Sequence, residues 1–182
     1  MAIQHNNTVL PNIGLGEEVV SGVNYNGTFN ITGGDDDAIG FVFGYEDDSH
    51  FYVVLSGKNQ SSNWDPKSFQ IKKVNSTTGR STHNLTDALR SSESVEGQTE
   101  VLWSEPEDRG WLTDVEYRWI LKYRPKLGSI HLQMYEESAL LFDTGVINLS
   151  VVSYEGKMGV FTHSQPSSHW YKMTYECNDD PI

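Results

Sequence analysis

Apolar and polar side chains alternate along most of this 182-residue chain. Across 115–123, Val115, Tyr117, Trp119, Leu121 and Tyr123 fall on one side of an extended strand, and Glu116, Arg118 and Lys122 on the other. That is the pattern of a strand with one buried face. The same period of two, rich in β-branched and aromatic residues and bounded by Gly, Asn, Asp and Ser clusters, predicts strands over 25–32, 39–45, 51–55, 69–74, 98–103, 128–135, 157–163 and 170–175. About ten strands overfill one open twisted sheet, so two packed antiparallel sheets are expected, an all-β jelly-roll sandwich. Leu85, Ala88 and Leu89 follow Asn84 at helical spacing and Arg90 closes the segment, which predicts one short connecting helix. The polar stretches 57–66 and 78–84 read as long connections able to carry a binding site.

Charge narrows the possible partners. Lys and Arg total 13 against 25 acidic residues, a net charge of -12. This disfavours nucleic acid and anionic membrane and favours cations or basic partners. No apolar run approaches the roughly 20 residues that span a bilayer, so membrane insertion is not expected, and the N-terminus lacks the regions of a signal peptide. Asn-x-Ser/Thr acceptors nevertheless occur at Asn6, Asn26, Asn30, Asn59, Asn75, Asn84 and Asn148. With 12 asparagines and 31 serines or threonines in the chain, random placement gives about two such sites. Seven point to a secreted, glycosylated protein, with composition bias as the competing explanation, and Met1-Ala2 is then expected to open a fragment and not the natural start.

Three carboxylates, Asp35, Asp36 and Asp37, stand directly before the apolar strand Ala38-Ile39-Gly40-Phe41-Val42-Phe43. Adjacent carboxylates repel unless a cation lies among them, and Ca2+, which takes six to eight oxygens, resolves such a cluster. If the three enter the strand, alternation lets at most two face one ion. A solvated acidic turn is the other reading of the same run. For sugar binding, the tryptophans supply stacking platforms, and Trp64 and Trp111, flanked by polar or turn residues, are the ones expected at the surface. Catalytic patterns are weak. Glu136-Glu137 are adjacent and point apart, which does not suit a glycosidase pair. There is no Gly-x-Ser-x-Gly elbow, and the six histidines lack zinc spacing. His163 and His169 read as a solvated loop pair. The one cysteine, Cys177, is a free thiol or half of a bridge to something outside the chain.

The acidic run and its strand resemble the thrombospondin C-terminal domain. The likeness continues through Lys73-Val74-Asn75-Ser76-Thr77-Thr78-Gly79, Leu102-Trp103, Gly110-Trp111, Tyr117-Arg118-Trp119, Arg124-Pro125-Lys126-Leu127-Gly128, Asp143-Thr144-Gly145, Gly159-Val160-Phe161, Ser164-Gln165 and Tyr175-Glu176-Cys177-Asn178-Asp179. These blocks keep the family's order from about residue 20, so 20–182 is expected to form the domain and 1–19 an N-terminal segment with a possible first strand. The resemblance implies an L-type-lectin-like (concanavalin-type) sandwich and an extracellular, calcium-binding, non-catalytic adhesion or matrix-interaction module with a protein or glycan ligand. It also implies calcium-binding repeats preceding the domain in the parent chain, one of whose cysteines pairs with Cys177. A lectin-like carbohydrate-binding module of a larger secreted protein is the alternative function. The family arrangement sets Gly159-Val160-Phe161 antiparallel to Gly40-Phe41-Val42, which would bring Ser164 and Gln165 to the acidic run as further oxygen donors. Pro166 stands where the family commonly has an acidic residue. His50-Phe51-Tyr52-Val53-Val54-Leu55 corresponds to a segment proposed in the family as a receptor contact, but its alternation reads as core, so that activity is not carried over.

Overall fold

The computed structural model describes residues 1–4, 11–59, 61, 64, 68–79, 83–149 and 155–182. Two six-stranded antiparallel sheets face one another. The first contains β1 (Ala2–Gln4), β3 (Val23–Ile31), β8 (Tyr117–Arg124), β9 (Ser129–Glu136), β10 (Ala139–Asn148) and β12 (Ser168–Cys177), in the order β1-β12-β3-β8-β9-β10. The second contains β2 (Pro11–Val20), β4 (Ala38–Asp47), β5 (His50–Ser56), β6 (Gln70–Asn75), β7 (Thr99–Ser104) and β11 (Gly156–His163), in the order β2-β11-β4-β5-β6-β7. The two-sheet antiparallel sandwich anticipated from the alternation is therefore the observed architecture, in keeping with the sandwich that the family resemblance implies.

The inward side chains of β8 pack against those of β3 and β4. Trp119 stacks on Phe41 with ring centroids 4.6 Å apart, and Tyr25 meets both rings edge-on. Each aromatic contact of this kind adds about 0.5–1.5 kcal/mol beyond the area it buries. The second sheet also buries its outer face. Val42, Phe51, Val53, Leu55, Val74 and Phe161 form a separate cluster with Trp64 and with Leu85 and Leu89 of the helix α1 (His83–Arg90). Both parities of β4 and β5 are consequently apolar and sealed. Phe51 to Leu55 are at most 1 % exposed, as expected for core and not for a surface contact.

Lys72 lies in this covered face and is itself buried. Its Nζ donates to the carbonyls of Ala88, Leu89 and Ser91 at 3.0, 2.8 and 2.6 Å, capping the end of α1. The three donors of an ammonium thus each meet a carbonyl at or just after the end of α1, and that of Ala88 also accepts from Thr99 Oγ1 at 3.4 Å. Among the described residues no helix is long and apolar enough to cross a membrane.

Candidate metal centre

Asp35, Asp36 and Asp37 lie in the connection that carries the chain from β3 in one sheet to β4 in the other. They stop short of the strand, which begins at Ala38, so the two-and-one alternation anticipated for them does not apply. Instead each offers one carboxylate oxygen, and the three atoms all lie within 4.8 Å of one another. Asp35 Oδ1 accepts from the Asp36 amide at 3.0 Å, and Ser61 Oγ donates to Asp36 Oδ2 at 3.0 Å. Asp37 is the buried member.

Its neighbours explain how a buried carboxylate is tolerated. Trp64 Nε1 donates to Asp37 Oδ1 at 3.0 Å, while Trp111 Nε1 donates to the Asp37 carbonyl at 3.0 Å. Arg90 Nη2 and His163 Nδ1 stand 3.8 and 4.0 Å from the same Oδ1. A charge removed from water is retained only when paired and hydrogen-bonded, and these contacts meet that need on one oxygen of Asp37. Lys58 adds positive charge close by: its Nζ donates to the Gly34 carbonyl at 3.5 Å and lies 5.4 Å from the centre of the Trp111 ring.

The expectation of exposed stacking platforms is corrected here. Trp64 is 2 % exposed and Trp111 0 %. Both indoles face inward to serve Asp37, and neither presents a free ring face to a sugar. His163 and His169 likewise do not form a solvated pair, since His163 is 1 % exposed and lies edge-on to Trp64. Sequence reasoning missed the set around Asp37, namely Arg90, His163, Lys58 and the two indoles. They converge from four separate segments, and the one local signal was an Arg closing the predicted helix.

The register between β11 and β4 matches Gly159 to Val42, Val160 to Phe41 and Phe161 to Gly40. The turn after β11 therefore closes on both flanks of the acidic run. Thr32 donates its amide to the Ser167 carbonyl at 3.1 Å, and Thr162 Oγ1 lies 3.3 Å from both the Ala38 and Gln165 carbonyls. Gln165 is fully buried; its Nε2 donates to the Pro166 carbonyl at 3.1 Å, yet its Oε1 has no hydrogen-bond partner among the described residues. Ser164 holds a left-handed backbone with φ 53°. The three clustered carboxylates form an oxygen donor set suited to a hard divalent cation, and the adjoining turn carries the buried amide of Gln165.

The other candidate positions are dispersed. Asn26 and Asn30 are half-buried in β3, Asn59 is half-buried, and Asn75, Asn84 and Asn148 are exposed. Asn6 lies outside the described residues. Cys177 is an exposed free thiol at the end of β12.

Residues 1–179 match the family described as thrombospondin C-terminal region. Thrombospondin-4-B of Danio rerio is 37% identical over 178 residues, covering 93% of this chain and 18% of that protein. Cartilage oligomeric matrix protein of Homo sapiens is 36% identical over 178 residues, covering 93% and 23% respectively. The chain thus spans about a fifth of the length of these curated relatives. Among solved structures, a carbohydrate binding module from Bacillus subtilis matches with a TM-score of 0.60 at 14% identity, over 93% of this chain and 83% of that one. At such identity the likeness concerns the fold alone.

Proposed function

Because the chain belongs to the thrombospondin C-terminal family, we propose that it serves as an extracellular, calcium-binding, non-catalytic module for adhesion or matrix interaction. The observation that carries this reading is the convergence of three carboxylate oxygens within 4.8 Å at a connection between the sheets. Ca2+ bound there would supply positive charge to Asp35, Asp36 and Asp37. Those residues would hold it, with Gln165 and Ser164 of the turn after β11 as candidate further oxygen donors. Since both connections pass between sheets, a shared ligand shell would fix that end of the sandwich and the surface it presents to a protein or glycan ligand. Exposed Asn75, Asn84 and Asn148 suit glycan attachment, and exposed Cys177 suits a bridge to calcium-binding repeats preceding this domain in the parent chain.

Calcium-dependent melting tests the reading. Millimolar Ca2+ is expected to raise Tm, since ligand at about 100 times its Kd adds roughly 2.7 kcal/mol, and Mg2+ to do less because it sheds its waters reluctantly. The double substitution D36N/D37N is expected to abolish the calcium increment. A shift of the same size in that variant would return the acidic run to a solvated turn.

A further inference from the structure

At the opposite side of the sandwich from the β7 and β10 edges, the core opens to solvent between β2 and β12. The cavity has a volume of about 350 Å³ and its apolar wall includes Leu15, Val20, Tyr25, Met158, Val160 and Met173. Three departures from regular pairing build it. Between Lys157 and Gly159 of β11, the pairing on β2 runs from Val19 to Leu15, so Gly16, Glu17 and Glu18 face a single residue, Met158. The same β11 residues pair with Tyr45 and Val42 of β4, a second bulge opposite Met158. In β12 the pairing jumps from Tyr171 to Thr174 while β3 advances from Thr28 to Asn26, with Lys172 at φ 52°, and this irregularity contains Met173. One methionine from each sheet therefore lies at a bulge and lines the same cavity. Bulges re-aim side chains beside binding sites, and methionine adapts to apolar ligands of varied shape.

The mouth is acidic. Glu17 and Glu18 line it, the Tyr175 hydroxyl from β12 donates to the Glu18 carboxylate from β2, and no lysine, arginine or histidine lines it among the described residues. Deeper in, the Tyr25 hydroxyl lies 3.3 Å from the Gly159 carbonyl and 3.7 Å from Met173 Sδ, so the main polar group of the wall is already partnered. The cavity is far larger than one side chain and falls in the range of small-molecule sites.

We propose that this cavity binds a small amphipathic cation, its hydrocarbon body between Met158 and Met173 and its ammonium group against Glu17 and Glu18. The site shares no lining residue with the acidic run, and the proposal does not rest on calcium binding there.

The chain has four methionines, which makes the test direct. With methionine methyl groups labelled with 13C, submicellar decylammonium is expected to shift the resonances of Met158 and Met173 saturably while those of Met1 and Met134 stay in place. Decanoate, with the same chain length and opposite charge, should bind at least about tenfold more weakly. In E17Q/E18Q, the Kd for decylammonium should rise about threefold to tenfold while that for decan-1-ol stays constant. Movement of all four methionines together, equal affinity for decylammonium and decanoate, or an unchanged Kd in the double variant would each overturn the proposal. So would saturable shifts with a lysine-rich peptide and none with decylammonium, which would assign the cavity to a protein partner.

Discussion

Arg90, the last residue of α1, holds a guanidinium nitrogen 3.8 Å from Asp37 Oδ1. The same group lies 5.6 Å from the centre of the Trp64 ring, whose own N–H bonds that carboxylate. The helix thus brings a resident cation to the acidic run, and that cation opposes any second one. Arg90→Gln is expected to tighten Ca2+ binding about twofold to fivefold, the scale of one partly exposed ion pair. Calorimetric titration of the two proteins checks it; an unchanged Kd would show that Arg90 and the metal do not share Asp37.

Lys72 makes stability depend on pH in an unusual direction. Burial pushes its pKa down to about 7 from 10.5. The unfolded chain then binds the proton more tightly than the folded one, so stability rises as pH climbs through the window between those values. Chemical denaturation from pH 7 to 9, below the tyrosine range, should show a positive slope with a limit of about 1.4 kcal/mol per pH unit. Lys72→Met removes the titrating group and should flatten that slope, while lowering stability by leaving the Leu89 and Ser91 carbonyls without the donor that Lys72 supplies.

Gly40 sits where β4 is hemmed in on both sides. A Cβ there would lie 1.8 Å from the Val54 carbonyl oxygen, and the Gly40 carbonyl accepts from Trp170 Nε1 at 2.9 Å. Backbone on the neighbouring strand cannot step aside without breaking the β4–β5 ladder. Gly40→Ala should therefore cost about 3 kcal/mol or more, whereas Gly34→Ala, whose added carbon meets nothing within 4 Å, should stay within about 0.5 kcal/mol of the parent. Paired urea melts distinguish the two.

Which parts of this molecule could be read from the chain follows from how local their causes are. β8 was legible because Tyr117, Trp119, Leu121 and Tyr123 alternate without interruption and all face the core. β2 was anticipated only as a possible strand because its bulge places three residues against one and destroys the period of two. β10 escaped because it is an edge strand with Leu140 and Val146 exposed, so its apolar positions do not mark an inner face. The acidic run was visible as three consecutive aspartates. The burial of Trp64 and Trp111 was not, since their polar sequence neighbours say nothing about an aspartate 27 and 74 positions away, whose carboxylate takes one indole N–H and whose backbone carbonyl takes the other.

In the second sheet the central strands β4 and β5 are sealed on both faces, whereas Arg118, Ile120 and Lys122 leave the outer face of β8 half-exposed. This asymmetry in space becomes an asymmetry in time. Amide hydrogens of β4 and β5 can trade with solvent only when both the inter-sheet core and the helix-covered layer give way, which places them at the slow end of exchange. Those of β1 and β10, at the edges of the other sheet, need only local fraying. In deuterated water the two sheets would keep different clocks, and the strand that begins at Ala38 would be among the last to change mass.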